Sequence, residues 1–106
     1  MSTTFFTEPA VQGGHLEFSL SAGHAGWIME TLGFTVDYED VIAGEPEVND
    51  LAKRIAEYRA GSRPAMRRGA PTEDSEVIAY VAAHMPYLDA LVQAAQEADR
   101  MFIYYS

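Results

Sequence analysis

The amino-acid sequence predicts a helix-rich α+β fold, with about three to four helices packed on a small sheet of two, or three, short strands. Three observations lead there. Apolar residues recur at helical spacing in three stretches, Ala25–Leu32, Val48–Ile55 and Val77–Ala95. Short strand-forming runs lie near both chain ends, at 15–20 and 101–105. The chain has 106 residues, which suits one domain spanning 1–106 with a single core.

Each element has its own signal. Residues 1–14 read as an irregular N-terminal arm that closes on the Gly13-Gly14 breaker. Leu16, Phe18 and Leu20 then alternate with polar residues, the period of a half-buried strand. Ser21 is suited to cap a first helix, with Ala25, Ile28, Met29 and Leu32 on one face. Gly33 stands where a left-handed C-terminal residue belongs. Phe34 to Asp40 alternates again and would supply a third extended segment. Gly44 and Pro46 mark a turn.

A second helix is expected over 47–60, with Val48, Leu51, Ala52 and Ile55 as its apolar stripe. Its acids, Glu47 and Asp50, come first and Arg59 comes last, as the helix dipole favours. Residues 61–72 carry two prolines, two glycines and Arg63, Arg67 and Arg68, and read as a mobile basic loop. Thr72 is the expected cap of the last helix, whose stripe runs through Val77, Val81, Met85, Leu88, Val92 and Ala95. Pro86 lies inside that stripe and predicts a kink or a break. The closing run Met101–Tyr105 would pair with residues 15–20.

Charge is distributed unevenly. Residues 1–52 hold nine acids and no Lys or Arg, residues 53–68 hold six bases and Glu57, and residues 69–106 hold six acids and Arg100. The formal net charge is −9. Such a surface repels nucleic acid and anionic membrane and attracts basic surfaces, though acidity also serves solubility alone. The arginines of the basic loop lack interleaved aromatics for base stacking, so they are expected to pair with carboxylates. There are no cysteines and no apolar run long enough to span a bilayer. Residues 1–14 lack the basic start and apolar stretch of a signal peptide, and the expected location is the cytoplasm.

His15, His24 and His84 are not at metal-ligand spacing. The cluster Asp37, Glu39, Asp40, Glu45 and Glu47, with Asp50 just beyond it, fails as a calcium loop, because counting from Asp37 Ile42 and Val48 stand where Gly and Glu are needed. No serine lies in a G-x-S-x-G elbow. The expectation is therefore a non-enzymatic protein without cofactor or metal. Those six acids are its candidate partner-binding face, and Trp27, Glu30, Arg63, Arg67 and Arg68 are secondary candidates. The alternative is a small enzyme or ligand-binding protein using His24 and nearby carboxylates.

In size, acidity and the acidic stretches Asp37–Asp40 and Glu45–Asp50, the chain resembles anti-CRISPR proteins. The resemblance implies a phage or mobile-element inhibitor. It would bind a CRISPR effector complex or its nuclease, with carboxylates imitating DNA phosphates. An antitoxin or immunity protein that neutralises a basic nuclease has the same charge logic.

Overall fold

The computed structural model of the chain describes residues 1–37 and 42–106. It is α+β. The strands are β1 (Ser2–Phe6), β2 (Phe18–Ser21), β3 (Met66–Arg67), β4 (Ala70–Pro71) and β5 (Tyr104–Tyr105). The helices are α1 (Ala22–Thr31), α2 (Val48–Arg59) and α3 (Ser75–Glu97), with a single 3₁₀ turn at Gln12–Gly14.

The largest departure from expectation is at the N-terminus. Residues 2–6 are not an irregular arm but the middle strand of a three-stranded sheet ordered β2-β1-β5. Both neighbours run antiparallel to β1, with Thr3 opposite Leu20 and Phe5 opposite Phe18 and Tyr105. The last strand therefore pairs with residues 5–6 and not with residues 15–20. The Ser2-Thr3-Thr4-Phe5-Phe6 run alternates buried Thr3 and Phe5 with half-buried Thr4 and Phe6. Buried threonines mask that alternation from a reading of apolar residues alone.

Phe5 holds the sheet to the core. Its ring stacks on Phe18 at 4.8 Å between centroids and on Tyr105 at 5.5 Å. Tyr105 also exchanges two backbone hydrogen bonds with Gly44, at 2.8 and 2.9 Å. The approach is so close that a Cβ on Gly44 would lie 2.6 Å from the Tyr105 hydroxyl oxygen, so this glycine is required by space. Further along, Ile103 donates to Pro46 and Val48 donates to Met101. The segment before α2 thus lies along the C-terminus.

Helix α1 begins as expected, with the Ser21 side chain accepting from the His24 N–H at 3.3 Å. It ends on Gly33 at φ +92°, where Gly33 and Phe34 donate to Glu30 and Met29 in the left-handed C-terminal motif. Residues 34–37 form no strand, and the rest of that expected segment, Tyr38 to Asp40, lies outside the described residues. Helix α2 buries Val48, Leu51 and Ile55, with Ala52 half-buried at the edge of the stripe.

Helix α3 is capped by Asp74 and not by Thr72. Asp74 accepts from the Glu76 N–H at 2.9 Å, while Thr72 accepts from the Asp74 N–H and orders the turn before the cap. The helix runs unbroken through Pro86. Pro86 and Ala82 are both exposed, so water reaches the carbonyl that the missing N–H would have bonded. On the opposite side Val81, Met85, Leu88 and Val92 are fully buried, and this packing holds the helix together across the proline. The expected basic loop at 61–72 contains the hairpin β3–β4, paired Met66 to Pro71 and Arg67 to Ala70.

One apolar cluster draws on every helix and on the sheet, including Phe5, Ile28, Leu51, Leu88 and Ile103. Phe5→Ala removes the ring at the junction of the three strands. It is expected to lower the unfolding free energy by about 3–5 kcal/mol in chemical denaturation. Burial also pushes the phenols of Tyr105, Tyr80 and Tyr58 above their ordinary value of 10.0. A raised folded-state value means the native state keeps these protons longer than the unfolded chain. Their contribution is therefore intact below pH 10 and lost as pH rises through the folded-state values. Alkaline denaturation should begin above about pH 10 and be shallower in Tyr105→Phe.

Candidate functional site

The arginines decide which acids are left for other use. Arg54 holds Asp50 one turn away at 2.9 Å, and Arg63 holds Glu57 at 2.9 Å. Arg59 crosses from α2 to Asp89 of α3 at 2.6 Å, and Arg67 reaches Asp74 at 3.6 Å. Arg100 donates to the carbonyls of Pro9 and Ala98. The basic segment is thus spent largely within the fold, as the sequence led us to expect. Arg63 and Arg67 form no free basic patch. Among the described residues, Arg68 has no ion pair.

Among the described residues, acids without an ion pair occur at several places, Glu8, Glu17, Glu30, Glu73 and Glu76 among them, and four more flank the start of α2, the end of α3 and the C-terminal segment. Glu45 and Glu47 are exposed just before α2. Glu47 forms a backbone bridge with Phe102. Glu97 and Asp99 are exposed at the end of α3, and Gln96 ties that end to α2 by donating to Asn49 at 3.3 Å. Among the described residues, Glu45, Glu47, Glu97 and Asp99 have no ion pair. A shallow cavity of about 250 Å³ opens between Glu47, Asn49, Gln96, Asp99, Arg100 and Met101. Met101 is 72% exposed at its edge. The result is an acidic pole with an uncovered thioether beside it.

Two of the six expected acids, Glu45 and Glu47, therefore belong to this pole. Asp50 faces Arg54 and is half-buried. Asp37 is exposed beside a second small cavity with Thr35, Val36 and Ile42. Glu39 and Asp40 lie outside the described residues. Glu97 and Asp99 were missed because they sit some fifty residues from Glu47 in sequence, and only the α2–α3 packing brings the two helix ends together. The opposed polarity of the helices was the available signal: antiparallel packing puts the start of one beside the end of the other.

Trp27 and His24 belong to a ladder of rings on the surface of α1 and α3. His24 lies 4.2 Å from Tyr80 and edge-on to Trp27 at 4.8 Å, and His84 stacks on Tyr80 at 3.9 Å. Rings therefore surround His24, and among the described residues no carboxylate forms an ion pair with it. Among the described residues, no group of three or more His, Asp or Glu is placed to hold a metal ion. Glu30 is only 4% exposed, and its Oε2 has no hydrogen-bond partner.

No helix among the described residues is long and apolar enough to cross a membrane. The chain matches no family model, and neither curated proteins nor solved structures give a match.

The cross-helix pair tests the statement that the arginines are used internally. A double-mutant cycle on Arg59 and Asp89 is expected to give a coupling of about 0.5–1 kcal/mol that shrinks as salt is raised, because Arg59 is half exposed.

Proposed function

We propose that the protein is a non-catalytic binding protein that presents its acidic pole to a basic protein surface. The observation that carries the reading is the separation of charge. Four arginines are paired with carboxylates of the same chain, while Glu47 and Asp99 line one cavity beside Met101 and, like Glu45 and Glu97 close to them in the chain, have no ion pair among the described residues. Unpaired like charges brought together cost folding free energy through repulsion, and a cationic partner relieves that cost on binding.

The exposed Met101 adds the second ingredient of such an interface. Charge steers the encounter and sets its salt dependence, whereas affinity comes mainly from a desolvated apolar centre. A flexible thioether ringed by carboxylates suits a basic surface with an apolar patch of its own. The resemblance to anti-CRISPR proteins makes a CRISPR effector or its nuclease one candidate partner. A basic nuclease neutralised by an immunity protein is the other. Both have the cationic channel that this pole would occupy, and both place the protein in the cytoplasm.

The test is capture from host extract with wild-type protein and with the combined variant Glu45→Gln, Glu47→Gln and Glu97→Gln. The variant keeps size and polarity and removes three charges. A basic protein retained by the wild type at low salt should be lost from the variant, with affinity falling about tenfold or more, and lost from the wild type at high salt. The same proteins held equally by both, or capture indifferent to salt, would contradict the reading.

A further inference from the structure

The hairpin β3–β4 lies over the last turn of α1. Thr31 fixes it there. Its hydroxyl donates to the Trp27 carbonyl at 2.7 Å and accepts the Met66 N–H at 3.1 Å. Between hairpin and helix a cavity of about 290 Å³ is left open on one side. Phe34, Val36 and Met66 give it apolar walls, and buried Glu30 and exposed Arg68 also line it.

Glu30 is the group that calls for a ligand. A carboxylate oxygen taken out of water needs a cation or a hydrogen-bond donor, and Glu30 Oε2 is buried with no hydrogen-bond partner, while no ion pair reaches Glu30 among the described residues. Arg68 does not supply one. It occupies the first position of the two-residue Arg68-Gly69 turn with φ +52°, a left-handed conformation that suits glycine or asparagine far better. The tight turn nevertheless places Arg68, which has no ion pair among the described residues, in the lining of the cavity. Arg54 and Arg63 crowd Gly33 of the same lining, since a Cβ on Gly33 would meet their Nη1 atoms at 2.8 and 2.5 Å. Both of those are already engaged with carboxylates.

We infer that this cavity binds a small zwitterion of the α-amino acid class. The ammonium group would be held by Glu30, the carboxylate by Arg68, and an apolar side chain would lie against Phe34, Val36 and Met66. The charge order excludes simpler ligands. The guanidinium groups beside the cavity repel a plain cation, and a plain anion leaves the buried carboxylate unpaired. A lysine side chain of a partner protein brings no carboxylate for Arg68. The volume fits one amino acid with its side chain, at the small end of ligand pockets. The site does not depend on the acidic pole, so the two readings fail separately.

The experiment is an amide NMR titration of the full ¹⁵N-labelled chain with L-leucine, L-methionine and L-phenylalanine. Isopentylamine and 4-methylpentanoate serve as single-charge controls. At least one amino acid should shift the Gly33, Thr35 and Gly69 signals saturably. The two controls should bind about tenfold more weakly or not at all, since each leaves one charge unmatched. Glu30→Gln should weaken the amino acid about tenfold or more, and the exposed substitution Arg68→Gln by a similar factor. Amide dispersion reports whether each variant is folded, and Arg68→Gln changes no buried group. No saturable shift with any of the three amino acids at millimolar concentration would overturn the inference. So would amine binding equal to amino acid binding, or affinity unchanged in Arg68→Gln.

Discussion

The ring of Phe5 lies between Phe18 and Tyr105, and most of the architecture depends on that contact. Three segments far apart in sequence meet at this residue: the first strand, the strand that feeds α1, and the last strand. Strands β2 and β5 are short and have no other partner within the sheet. A sheet this small gains little from its backbone bonds alone and needs a packed face. Stacked rings supply that face, and the three helices close over it. Tyr105 carries the constraint onward through its paired bonds to Gly44, which lay the chain before α2 along the C-terminus.

That arrangement determines where charge ends up. Once residues 44–48 lie beside residues 101–105, Glu45 and Glu47 run along the C-terminal segment, and Glu47 shares a cavity with Asp99. Arg100 also lines the cavity of the acidic pole, with its guanidinium bonded to the Pro9 and Ala98 carbonyls. The cavity beside the hairpin receives a different set: Glu30 and Arg68 line it, and the Arg54 and Arg63 guanidinium groups lie against Gly33.

Much of the helical framework was legible in the sequence, because its signals are local. Ser21, Gly33 and the stripe Val48, Leu51 and Ile55 each act within a turn or two of the chain. The β-structure was less legible. Thr3 and Thr7 are buried polar residues, so β1 does not read as an apolar alternation, and the order of the sheet is fixed by ring stacking across long separations. Pro86 shows the same limit from the other side. Local chemistry favours a break, and tertiary packing on Met85 and Leu88 overrides it. The candidate site was half legible. Glu45 and Glu47 stood out as acids, but whether an acid is paired depends on where each arginine reaches. Asp50, four residues before Arg54, was the one whose pairing the sequence already contained. The partnerless state of Glu30 had no sequence signal, since it arises from the hairpin that closes over it.

The proposed function places binding at the acidic pole. Hydrogen exchange of the protein, alone and saturated with its captured partner, tests this most directly. The account predicts slowed exchange confined to residues 44–49 and 97–103, with little change in the β3–β4 hairpin or on the exposed side of α3. Protection centred on the hairpin, on the ring ladder of His24, Tyr80 and His84, or spread evenly over the chain would contradict it.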